Sequence, residues 1–158
     1  MNIKIVCVGK IKEKYFKDAI LEYAKRLGRF CKFEIVEVNE ELVDPNLKNL
    51  DVVKNKEGER ILQKAQGYII ALDINGEMIS SEEHAKKIND LSVHGVSTIT
   101  YIIGGSYGLS KEVLDSADYK ISFGKLTYPH QLMRVVLSEQ IYRAYTILEG
   151  SSYHKWWM

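Results

Sequence analysis

Tyr153-His154-Lys155, close to the end of the chain, place a phenol, an imidazole and a cation at three consecutive positions. An imidazole changes charge near neutral pH, so His154 is the side chain best suited to move a proton. Its neighbours Tyr153, Trp156 and Trp157 are flat enough to stack on unpaired bases. Glu139 and Arg143 stand four residues apart in the order that favours a helical ion pair, a spacing that reads first as structure. A second concentration is the glycine group Gly104, Gly105 and Gly108, which ends an apolar run abruptly. Glycine there implies positive φ or another group pressed against the backbone. The spacing matches neither the phosphate-cradling P-loop nor the dinucleotide fingerprint. A nucleoside-like ligand without a phosphate chain suits such a site; a tight turn of purely structural use suits it equally.

These residues need a scaffold, and the apolar patterning supplies one. Strand-length runs at Ile3–Val8, Phe33–Val38, Tyr68–Leu72, Ser97–Ile103 and Tyr119–Phe123 alternate with helix-length segments. Tyr15 to Leu27 carries an apolar stripe of 3.6-residue period. Leu50–Gln66 is charged and stops at Gly67, and Pro45 is a candidate helix start before it. FEIVEV alternates apolar and acidic residues, as an edge strand with one wet face would. Asp73-Ile74-Asn75-Gly76 has the composition of a turn. Ser80 and Glu83 have capping-box spacing at the start of a helix to about Leu91, and Ser110 caps a short helix through Ala117. Pro129 opens a long last helix to about Leu148. The order predicts an α/β fold, a mostly parallel sheet with helices on both faces, in a single domain over residues 1–158.

In such sheets ligands bind beyond the carboxyl ends of strands. Three ends stand out: Leu72-Asp73, Gly104-Gly105 and the run from Ser122 to Pro129. The last helix carries two adjacent apolar stripes, Met133/Leu137/Ile141/Ala144/Leu148 and Leu132/Val136/Tyr142/Tyr145. That is broader than one sheet contact requires, and it predicts packing on a second subunit as well.

At 158 residues and 46% apolar, the chain is long enough for one good core and too apolar for disorder. No apolar run approaches membrane-spanning length, and the N-terminus reads as a first strand of a cytoplasmic protein. Cys7 and Cys31 lack metal-ligand spacing and read as free thiols; no metal site is expected. The net charge of +1 hides an asymmetry: residues 1–30 carry +5, residues 31–119 carry −7 and residues 120–158 carry +3. Basic ends around an acidic centre suit a polyanion-binding face.

Several of these stretches, taken together, resemble one family. Leu72-Asp73-x-x-Gly76, Ile103-Gly104-Gly105-Ser106-x-Gly108-Leu109, Leu126-Thr127-x-Pro129-His130-x-x-x-Arg134-Val135, Tyr142-Arg143-Ala144 and the terminal Tyr153-His154-Lys155 are similar in order and spacing to the ribosomal RNA large subunit methyltransferase H family. The N-terminal IVCVGKIKEKYF resembles the family start, so the likeness runs over nearly the whole chain. The resemblance implies a SPOUT-type fold whose C-terminal part threads a deep trefoil knot, which general topology rules would not propose. It implies S-adenosylmethionine as methyl donor, held by Leu72, Gly105, Gly124, Lys125, Leu126, Thr127, Tyr128 and Pro129. The implied partners are a second copy of the chain, whose tail completes the site, and 23S rRNA within assembled 70S ribosomes. There N3 of a pseudouridine in a domain IV stem-loop is methylated. For that reaction His154 is the candidate to assist loss of the N3 proton, Tyr153 to position the base, and Arg134 and Arg143 to neutralise phosphate or the developing anion. His130 shapes the donor loop. Two departures from the family pattern are the Trp156-Trp157-Met158 extension, which could stack on RNA, and Glu77, where relatives often carry Lys. The competing readings are a ribosome-binding factor on the same scaffold without catalysis, and a SPOUT enzyme acting on another RNA.

Overall fold

The computed structural model describes residues 1–42 and 49–155. The helix start expected at Pro45 and the stacking residues Trp156 and Trp157 lie outside the described residues. The elements run β1 (Asn2–Val8), α1 (Lys14–Leu27), β2 (Lys32–Val38), α2 (Leu50–Lys64), β3 (Tyr68–Glu77), α3 (Ser81–Val93), β4 (Thr98–Ile103), α4 (Lys111–Ser116), β5 (Tyr119–Ile121) and α5 (His130–Glu149). The five strands form one sheet in the order β2-β1-β4-β3-β5, every pair parallel.

Alternation along the central strands decides which helix lies on which face. Ile3, Ile5 and Cys7 of β1, with Ile99, Tyr101 and Ile103 of β4, pack in a cluster with Leu27, Ile88, Leu137, Ile141 and Ala144 of α1, α3 and α5. Val6, Val8 and Ile102 point the other way, onto Ile61 of α2 and Val113 of α4. The alternating FEIVEV segment lies in β2, at the sheet edge, as its pattern requires. The capping box forms: the Ser80 hydroxyl accepts from the Glu83 amide at 3.1 Å, and the Glu83 carboxylate accepts from the Ser80 amide at 3.4 Å. No described helix is long and apolar enough to cross a membrane. Cys7, buried, has its thiol pushed up to about 12 by desolvation, which makes it inert as a nucleophile.

Two expectations change in detail. Asp73–Gly76 does not end its strand. Leu72 and Glu77 both pair with Ile121, so the four residues between them bulge from the ladder and the strand resumes. The breadth of the apolar surface on α5 has a source within the protomer, because α5 lies between α1 and α3 while resting on β4. From β5 the chain passes through Ser122–Pro129 beside the ends of β3 and β4 before entering α5, a path consistent with a knotted C-terminal part.

One core contact has a consequence for pH. His84 of α3, 5% exposed, and Tyr101 of β4, fully buried, share a hydrogen bond of 2.7 Å between Nε2 and the phenol. Burial lowers the His84 pKa to about 4, against an ordinary 6.5. Between those values the unfolded chain binds a proton that the folded chain refuses, so stability rises with pH there. The His84 contribution is complete above about pH 6.5 and is lost as pH falls towards 4. The full effect is roughly 3 kcal/mol. Urea titrations from pH 7 to 4 are expected to show this slope, and the variant His84→Gln should flatten it.

Candidate active site

The carboxyl ends of β3, β4 and β5 converge on a cavity of about 360 Å³, within the range of small-molecule sites. Leu72, Gly105, Gly124, Leu126, Thr127 and Tyr128 line it. Lys125 and Pro129, expected with them, do not: both are exposed, and Pro129 is the residue from which α5 starts. Ile103, Phe123 and Met133 add apolar wall, and Asp73, Tyr107 and His130 add polar groups. Among the described residues no Lys or Arg lines the cavity, and Asp73 brings a carboxylate. Such a cavity suits a nucleoside-like ligand carrying positive charge and does not suit a phosphate chain. S-adenosylmethionine, with its sulfonium, fits that description.

The glycines serve both purposes that their residue type allows. Gly108 has φ +86° and its amide donates to the Gly105 carbonyl at 3.1 Å, closing a tight turn. Gly105 is there for close approach: a Cβ on it would meet Val8 Cγ1 at 3.1 Å and Glu57 Oε1 at 3.2 Å. The backbone of β4 therefore forms the cavity wall directly, with β1 and α2 pressed behind it.

Two further residues stand close to the cavity, of which Glu57 was not singled out by the sequence and His130 was expected to shape the donor loop. Glu57 of α2 is 4% exposed. Its Oε2 accepts from the Glu41 amide at 3.0 Å, and its Oε1 has no hydrogen-bond partner. Desolvation pushes its carboxyl above the ordinary carboxylate value. His130 lines the cavity with Nδ1 buried and unpartnered, and desolvation followed by the Arg134 charge holds its pKa down.

The expected catalytic residues fall into two places. Arg143, Tyr153 and His154 come together on the α3/α5 side. Arg143 Nε and Nη2 donate to Glu139 Oε1 at 2.8 and 2.7 Å, and the guanidinium lies 4.9 Å from the Tyr153 ring centroid. The Tyr153 hydroxyl reaches Glu139 Oε1 at 3.4 Å, and burial, then the Glu139 charge, pushes the phenol up to about 12. His154 Nδ1 lies 3.1 Å from Arg143 Nη1, and Nε2 lies 2.7 Å from Glu82 Oε1. A guanidinium can only donate and a carboxylate only accept, so this geometry fits the tautomer with its proton on Nε2. Glu82 is the partner that the sequence did not disclose, lying 72 positions away. Neither Arg143, Tyr153 and His154 nor their partners Glu139 and Glu82 line the cavity of the same protomer.

Arg134 is elsewhere. It is 1% exposed and donates to Glu37 Oε2 at 2.7 Å and to the Val8 and Gly9 carbonyls at 2.8 and 2.9 Å. Nine positions from Arg143, it is turned about half a circle around α5. Its guanidinium is committed to Glu37 and to the end of β1.

Comparison with known proteins agrees with this architecture. The family described as "Predicted SPOUT methyltransferase" matches residues 1–154. A protein of Clostridium novyi (strain NT) named "Ribosomal RNA large subunit methyltransferase H" is 59% identical over 159 residues, covering 98% of this chain and all of the relative. A protein of the same name in Limosilactobacillus reuteri (strain DSM 20016) is 62% identical with the same coverage. Among solved structures, a probable methylase family protein from Haemophilus influenzae Rd KW20 superposes with TM-score 0.54 at 15% identity, over 94% of this chain and 66% of its own. A putative methylase family protein from Neisseria gonorrhoeae gives 0.54 at 11% identity, over 99% and 87%. At those identities the likeness is one of fold.

Proposed function

The chain belongs to the SPOUT methyltransferase family, and from that premise we propose that it transfers the methyl group of S-adenosylmethionine to N3 of a pseudouridine in the domain IV stem-loop of 23S rRNA. The substrate in this reading is the assembled 70S ribosome in the cytoplasm. The observation that carries it is the meeting of three strand ends in one cavity whose described lining holds a carboxylate and no Lys or Arg. The names of relatives at 59% and 62% identity support the choice of ribosomal RNA. When bound, the donor supplies an activated sulfonium methyl group.

The residues then divide the work. Leu72, Gly105, Gly124, Leu126, Thr127 and Tyr128 hold the nucleoside against backbone, with Lys125 and Pro129 shaping the same run from outside. Holding nucleophile and methyl at near-attack distance is the larger part of the task for so reactive a donor. His154 would take the proton from N3 of the base, freeing that nitrogen to accept the methyl group that the donor would supply. Tyr153 positions the base and Arg143 offsets the negative charge that develops on it. Arg134, on the other side of α5, holds the end of β1 through Glu37 and the Val8 and Gly9 carbonyls.

The reading also requires two protomers. Tyr153 and His154 lie outside their own cavity, so the cavity of one chain is paired with the tail of its partner in a homodimer. Exposed apolar residues at the cavity, Ile74, Tyr107, Leu126 and Tyr128, offer surface for that contact. Recognition of ribosome shape then replaces a dedicated RNA-binding module.

The test is incubation with radiolabelled S-adenosylmethionine and 70S ribosomes, 50S subunits or naked 23S rRNA from a strain lacking the modification. Label in 23S rRNA mainly from the 70S sample is the expected result. Donor binding with no label in any sample would redirect the activity to another RNA. Ribosome binding without donor binding would make the chain a non-catalytic factor.

A further inference from the structure

We propose that Glu57 makes the cavity discriminate by charge, so that the cationic methyl donor is held and its neutral thioether product is released. The inference rests on the cavity being the donor site. Its grounds are geometric. Glu57 lies behind Gly105, with Oε1 at 3.2 Å from where a Cβ on that glycine would be, so only bare backbone separates the carboxylate from the ligand space. That oxygen has no hydrogen-bond partner, and the residue is 4% exposed.

Arg60, whose charge acts on Glu57, and the described cations Lys56 and Arg134 are already engaged elsewhere. Arg60 donates to Glu41 at 2.6 Å and to the Asn39 carbonyl at 3.0 Å. Lys56 lies 3.6 Å from Glu41, and Arg134 is paired with Glu37. Desolvation and the neighbouring Glu40 and Glu41 charges push the Glu57 carboxyl up, which means that its charge is under-compensated where it stands. A positive charge across the glycine wall relieves that state.

S-adenosylmethionine and S-adenosylhomocysteine differ by one methyl group and by one positive charge at sulfur. When N3 takes the methyl carbon, the sulfur–carbon bond electrons remain on sulfur and the sulfonium becomes a neutral thioether. A fixed anion behind the wall therefore attracts the ligand before transfer and ceases to attract it afterwards. Because the carboxylate is shielded from water, the attraction persists where surface charges would be screened by salt.

Calorimetry on the full chain with each of the two ligands tests this. The wild-type protein is expected to bind S-adenosylmethionine about ten-fold more tightly than S-adenosylhomocysteine. Glu57→Gln keeps the shape and an oxygen for the Glu41 amide. It should bring the two affinities to within about two-fold by weakening the donor alone. Equal loss for both ligands would show that Glu57 only supports the loop, and an unchanged ratio would likewise overturn the inference while leaving the donor site standing. If the variant fails to fold, equal wild-type affinities for the two ligands overturn it without any variant. Wild-type protein that binds neither ligand would remove the donor-site reading and this inference with it.

Discussion

Replacing Arg134 by alanine is expected to lower folding stability by about 4 kcal/mol, as removal of one member of a buried, hydrogen-bonded ion pair does. Three partners lose their donor at once: Glu37 Oε2 and the carbonyls of Val8 and Gly9. Those carbonyls lie at the end of β1, where no other described side chain donates to them, and burial leaves them short of water. Glu37, about a third exposed, recovers some solvation through its open side, which keeps the loss from the upper end of what such pairs show. Urea unfolding should therefore show a lower midpoint at unchanged slope. Arg134→Lys retains the charge but cannot bridge three acceptors in the same plane, and it should recover only part of the loss. If Arg134→Ala left stability within 1 kcal/mol and instead reduced the salt dependence of ribosome binding, the residue would be an RNA contact after all.

Arg134 also shows what sequence patterning can and cannot separate. Its membership of a motif with His130 placed it among functional cations. Its spacing from Arg143, nine residues or about two and a half turns, already set the two on opposite sides of one helix. Burial of the guanidinium was not legible, because arginine is an ordinary surface residue until a strand end needs a donor. The β-strands were legible for the opposite reason: a run such as Tyr68–Leu72 carries no charged or strongly polar residue, as a strand covered on both faces requires. The convergence of Leu72, Gly105 and Gly124 followed from the rule about strand ends, since it depends on topology more than on side chains.

Glu57 carried a signal that periodicity overlooks. It precedes Gly58 in mid-helix, a position where glycine normally costs stability, so something must approach closely. That something is Ser110, whose hydroxyl would lie 2.5 Å from a Cβ on residue 58. Close packing of α2 on the α4 start brings Glu57 under the cavity wall. The bulge at Asp73–Gly76 was misread as a chain turn for a related reason. Turn composition reports local backbone freedom, whereas resumption of β3 at Glu77 depends on pairing with Ile121, 44 positions further on.

His154→Ala is expected to reduce the single-turnover rate of methyl transfer about a thousand-fold near neutral pH, the middle of the range for loss of a general acid or base. The proposal depends on the tail leaving the position seen in one protomer. There Nδ1 faces Arg143 and Nε2 faces Glu82, so the ring has no lone pair turned to a substrate. The contacts that hold it are inexpensive to exchange. Glu82 has a side chain 40% exposed, and a hydrogen bond to so open a carboxylate contributes about 1 kcal/mol. Glu82→Gln should accordingly leave single-turnover rates within about three-fold of wild type, because it weakens only the resting contact. Donor affinity, measured by calorimetry, should be unchanged in both variants, since neither residue lines the cavity. A pH series separates proton transfer from mere tail placement. Without the imidazole the rate should climb with pH as solvent removes the N3 proton, narrowing the gap to wild type in alkaline solution. A gap that stays constant across pH would assign His154 to docking of the tail, leaving the proton to another group.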